Sequence, residues 1–92
     1  MSSSDIQTKR VTTAASLGVG PARIRQVQVL TSVAGAGRLT ITDGAGGRTV
    51  LDIDFIADDS HSINIPDYGI RCENDVLITA MTNITAMTVF YS

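Results

Sequence analysis

Cysteine occurs once in this chain of 92 residues, at Cys72, and histidine once, at His61. A lone cysteine makes no intramolecular disulfide, so the chain is not a disulfide-stapled secreted miniprotein and is expected to mature in a reducing cell. The same scarcity leaves a zinc site short of the four soft ligands it normally takes, and no metal is expected. Lys and Glu also occur once each, so these usual residues of exposed helices are scarce. No run of residues approaches the ~20 apolar positions that cross a bilayer, and Met1 to Asp5 is polar, so neither a membrane partner nor a secretory leader is expected. A nucleic-acid partner is not expected either, because net charge is -2 and such binders carry a strongly basic face.

What the chain does have is β-branched residues: ten Ile, eight Val and eleven Thr. With hydrophobic residues at 43% and charged residues at 17%, it is apolar enough to fold, and long enough for one domain. Cys72, between Arg71 and Glu73 in a strand-like run, reads as a small buried hydrophobe. Arg10, Arg23, Arg25, Arg38, Arg48 and Arg71 read as scattered solvated or intersubunit charges without interleaved aromatics.

Alternation places the strands. The stretch to Ser16, weakly patterned, reads as an edge strand or arm, and Gly18-Val19-Gly20-Pro21 as a turn. Ala22 to Val33 has Arg25, Val27, Val29, Thr31 and Val33 on one face and Ile24, Gln26, Gln28, Leu30 and Ser32 on the other. Leu39 and Ile41 face inward from the next strand. Asp43-Gly44-Ala45-Gly46-Gly47 then reads as a hairpin loop into Thr49 to Ile56, where Leu51, Ile53 and Phe55 share a face. Ala57 to Ser60 is an acidic turn, Ser62 to Ile65 a short strand, and Ile70 and Cys72 begin another. Val76 to Met81 and Ile84 to Tyr91 read as a hairpin around Thr82-Asn83. That pairing also accounts for the repeated words Ile78-Thr79-Ala80-Met81-Thr82 and Ile84-Thr85-Ala86-Met87-Thr88.

About eight short strands with Gly and Pro turns between them predict an all-β fold. The expected form is an antiparallel, jelly-roll-like β-sandwich over residues 18–92, preceded by an extended N-terminal arm over residues 1–17. Four aromatics and nine Ala make a slight core, so assembly with other chains would add stability.

The candidates for chemistry are weak. Asp58-Asp59-Ser60-His61 only superficially resembles a reactive or metal-binding cluster. Asp52, Asp54, Asp58 and Asp59 are oxygen donors of the kind calcium takes, yet they lack an EF-hand pattern and read as a solvated acidic turn. Glycoside hydrolysis needs two acids across a cleft that so small a domain hardly has room for. Gly44-Ala45-Gly46-Gly47 joins two strands, whereas phosphate loops open a helix. No enzyme activity, catalytic residue or cofactor is expected.

The order of segments carries more information. Gly20-Pro21-Ala22-Arg23-Ile24-Arg25 precedes a long strand, and Leu39-Thr40-Ile41-Thr42-Asp43-Gly44 opens a glycine hairpin. Ile65-Pro66 is followed closely by Gly69-Ile70-Arg71, and the chain closes on Leu77-Ile78-Thr79 and Thr88-Val89-Phe90-Tyr91. Over about residues 18–92 this resembles the small β-sandwich structural proteins of tailed-bacteriophage virions, including those of marine and cyanobacterial phages. Where that pattern often has glycine after Asn74, this chain has Asp75, which also tolerates a turn.

The resemblance implies a non-enzymatic virion component, either a decoration or cement protein on the capsid shell or a protein of the tail, neck or vertex; the expected one is the decoration or cement protein, made in the host bacterial cytoplasm and located on the capsid surface. Its expected partners are the major capsid protein and copies of itself, as a trimer. Ile6, Thr8, Arg10, Val11, Arg23, Arg25 and Tyr68 are the expected intersubunit or capsid contacts, with Ile6 to Leu17 as the intersubunit element. The alternative is a tail- or fibre-associated module that binds a host glycan, for which Tyr68 is the aromatic candidate.

Overall fold

The computed structural model describes residues 6–65 and 69–92. Tyr68 and the rest of its turn therefore lie outside the described residues. The strands are β1 (Gln7–Val11), β2 (Ala22–Thr31), β3 (Gly37–Asp43), β4 (Thr49–Phe55), β5 (Ser60–Asn64), β6 (Ile70–Cys72), β7 (Val76–Thr82) and β8 (Ile84–Tyr91). They form two antiparallel sheets. One runs β1-β8-β2-β5, with β6 continuing the β5 side of β2, and the other runs β4-β3-β7. The protein is an all-β sandwich, and the chain passes between the sheets at the β2–β3, β4–β5, β6–β7 and β7–β8 connections.

Both sheets turn one face inward. Ile24, Val27, Val29, Met87 and Val89 from the larger sheet meet Leu39, Ile41, Val76 and Ile78 from the smaller one, all at 2% exposure or less. The predicted face assignment of β2 fails at Ile24, which is buried with Val27 and Val29 instead of opposite them. A register shift against β8 between Ile24 and Gln26 leaves Arg25 as an extra residue, and a bulge of this kind lets both apolar segments face the core.

A second correction concerns the chain end. β7 and β8 do not form a hairpin: β7 pairs with β3, whereas β8 pairs with β2 and β1. One residue, Asn83, separates them at φ 53, too short a link for the two-residue turns that fold strands back in one sheet. Its side-chain amide donates to the Ala36 carbonyl at 3.0 Å and its own carbonyl accepts from Ser32 N–H at 2.8 Å, which fixes the corner. The repeated Ile-Thr-Ala-Met-Thr words thus lie in opposite layers, with Ile78 and Ile84 both buried in the shared core.

The N-terminal segment is joined to its own chain. β1 pairs in register with β8, from Gln7 opposite Tyr91 to Val11 opposite Met87. The segment then crosses to the smaller sheet, where Ile78 N–H donates to the Ala15 carbonyl and Leu17 N–H to the Val76 carbonyl. Leu17 is 2% exposed and belongs to the core. Lys9 lies on the inward-facing side of this edge strand, opposite Val89, and donates to the Leu17 carbonyl at 2.8 Å. An inward charge on an edge strand opposes pairing with a foreign strand.

Candidate interaction surface

The outer face of the five-stranded sheet is built by register. Thr8, Phe90, Gln26 and Asn64 form one row across it, Arg10, Thr88, Gln28 and Ser62 the next, and Ala86, Leu30 and Ser60 a third. Apart from the Arg10 guanidinium, these are amides, hydroxyls and small or apolar groups. Over the second and third rows lies an open groove of about 460 Å³, bordered by Arg10, Gln28, Leu30, Ser60, Ser62 and Thr88. Leu30 is 46% exposed there, in a central strand.

Charge divides sharply between the sheets. The five strands of the larger sheet hold Lys9, Arg10, Arg23, Arg25 and Arg71 and no Asp or Glu. Among the described residues the acidic groups Asp43, Asp52, Asp54, Asp58, Asp59, Glu73 and Asp75 stand on the smaller sheet and in the connections. Arginines that look scattered along the chain are therefore collected by topology. Arg23 and Arg71 come face to face across β2 and β6, Arg10 borders the groove, and Arg25 donates from Nε to the Ser92 hydroxyl at 2.9 Å.

Of the expected contact residues, Thr8 and Arg10 sit on this outer face and Ile6, just before β1, is 56% exposed. Val11 is half-buried opposite Met87, and Arg23 and Arg25 lie toward the other end of the sheet. Arg71, Gln28, Ser62 and Thr88 belong to the same face and were not among the expected contacts. The signal that points to them is the absence of acidic residues from every segment that becomes a strand of this sheet.

Two carboxylates at the far end of the sandwich are occupied by the fold. Asp43 is 6% exposed and accepts the N–H groups of Asn74 at 2.8 Å and Glu73 at 3.0 Å. These two hydrogen bonds hold its carboxyl below the ordinary carboxylate range despite burial. Burial pushes the Asp75 carboxyl up, but the Ser16 hydroxyl and the N–H groups of Val76, Val19 and Gly18 outweigh it and hold the group low. Asp75 therefore clasps the chain entering β2. Burial, reinforced by the Asp43 charge, pushes the Cys72 thiol up; at 0% exposure it is a packing group.

His61 packs its ring on Phe55, with centroids 4.9 Å apart. Asp58 and Asp59 are exposed, and no group of three or more Cys, His, Asp or Glu among the described residues converges as metal ligands would. In comparisons with protein families, curated proteins and solved structures, the chain matches none.

Proposed function

We propose that this protein is a non-enzymatic structural component of a tailed-phage virion, a decoration or cement protein that docks on the major capsid protein as a homo-oligomer. The resemblance in segment order supplies the shell as partner, and the charge asymmetry supplies the face. The observation that carries docking is the outward-facing Arg10, Arg23 and Arg71 in a sheet whose strands hold no carboxylate. Such a face attracts and orients an acidic surface, and raises the rate of encounter more than its buried area alone would. The self-paired N-terminal segment makes the outer face of the sheet, together with exposed Ile6, the contact surface.

Electron microscopy of purified virions tests this reading. Density for the protein at regular positions on the shell is the expected result, and density confined to the tail or its fibres contradicts it. A second reading, a glycan-binding module of the tail, is favoured by the groove lined with hydroxyl and amide groups beside Arg10. Binding to host-surface polysaccharide that is lost on Gln28→Ala, with none to shells, would establish it.

A further inference from the structure

Three of the five basic residues of the larger sheet, Arg23, Arg25 and Arg71, stand toward one end. Arg23 of β2 and Arg71 of β6 are directly opposed in antiparallel register. Their strand neighbours Ala22, Ile24 and Cys72 are at most 6% exposed, so alternation puts both arginine side chains on the outer face. Like charges directly opposite one another destabilise a strand pair. Among the described residues the ion pairs join Arg38 to Asp52 and Asp54, and neither Arg23 nor Arg71 takes part in one. Arg48 donates from the β3–β4 hairpin to the backbone carbonyl of Arg71 at 2.9 Å.

We infer that Arg23 and Arg71 anchor carboxylate side chains of an acidic protein surface. This rests on the docking reading above and names the partner's chemistry. A guanidinium presents a planar fork that matches a carboxylate with two parallel hydrogen bonds, and two opposed forks fit a local pair of acids. A continuous polyphosphate fits less well. Phe90 is the one aromatic in the rows of this face, which gives the bases of a nucleic acid little to stack on. In the absence of the partner the opposed pair costs stability, and bound carboxylates relieve that cost.

The full chain is titrated with fluorescently labelled poly-L-glutamate at low salt. Arg23→Gln and Arg71→Gln should each weaken binding by about tenfold or more, added salt should weaken it further, and Arg38→Gln should leave it unchanged. Thermal unfolding supplies an independent reading: Arg71→Thr should hold or raise Tm, because it removes the repulsion. Unchanged affinity in both glutamine variants, tighter binding to duplex DNA of equal length, or a fall in Tm for Arg71→Thr would overturn the inference. Affinity that behaves as predicted, with no protein found on virions, would sink the shell reading and leave the anchor standing. Shell docking that survives both substitutions would do the reverse.

Discussion

On the three-stranded sheet the Arg38 guanidinium reaches Asp52 at 2.7 Å and Asp54 at 3.4 Å, whereas on the five-stranded sheet Arg23 faces Arg71 and no carboxylate stands in any strand. Both sheets turn the same kind of apolar face to one core, so the contrast lies wholly on their outer surfaces. The smaller sheet has its charges answered within the chain. On the larger one, Arg23 and Arg71 take part in no ion pair among the described residues. Under the proposed docking, stability and interaction fall to different layers of the sandwich, and substitutions in the two layers should fail in different ways.

The largest effect should come from the hairpin that makes the smaller sheet. A Cβ at Gly47 would lie 1.8 Å from the Asp43 carbonyl oxygen, backbone that cannot move without opening the loop. Gly47→Ala should cost about 3 kcal/mol or more, read in denaturant unfolding, and should abolish any function by unfolding the chain. A stable variant with native spectra would show that this hairpin does not hold the layer together. Next comes the Asp75 clasp: Asp75→Ala frees N–H groups of Gly18 and Val19 and the Ser16 hydroxyl, and should cost about 1 kcal/mol. Hydrogen exchange should then quicken at residues 16–19 before it does so in β3. Equal quickening in both places would contradict a local clasp.

The same carboxylates set the acid response. Asp43 and Asp75 are both held below their ordinary range, so the folded chain favours their ionised forms. Their contribution is complete above the unfolded carboxyl value of about 3.9 and is lost as pH falls through the lower folded values. Thermal unfolding followed into acid should therefore show a Tm that is flat near neutrality and falls below about pH 4, less steeply in Asp75→Asn. A Tm that rises on acidification would contradict this sign. The smallest effect is expected at Arg38→Ala, whose partners are 42% and 73% exposed: about 0.5 kcal/mol, diminished by salt.

Local features of this fold are legible in the residues themselves. Asp43 to Gly47 declares a hairpin because Gly44 and Gly46 take φ 73, and Leu39 and Ile41 declare an inward face by alternation. Features that depend on distant partners are not. Whether β7 and β8 pair or part is decided by one left-handed residue, Asn83, and by the two layers competing for Ile78 and Ile84. Ile24 joins the core through a bulge that exists only against β8. The surface follows the same division: Arg23 stands out as a charge in a strand-like segment, but Arg71 becomes its neighbour only when β6 pairs with β2.

The most direct test of the basic face is competition for shell occupancy between two charge-reversed forms of the full chain, mixed in equal amounts with virions stripped of the protein. One carries Arg10→Glu and Arg23→Glu on the larger sheet, the other Asp52→Arg and Asp54→Arg on the smaller. The account predicts that the first is excluded from the shell and the second binds like the natural chain. Occupancy by the first, or exclusion of the second alone, would contradict it.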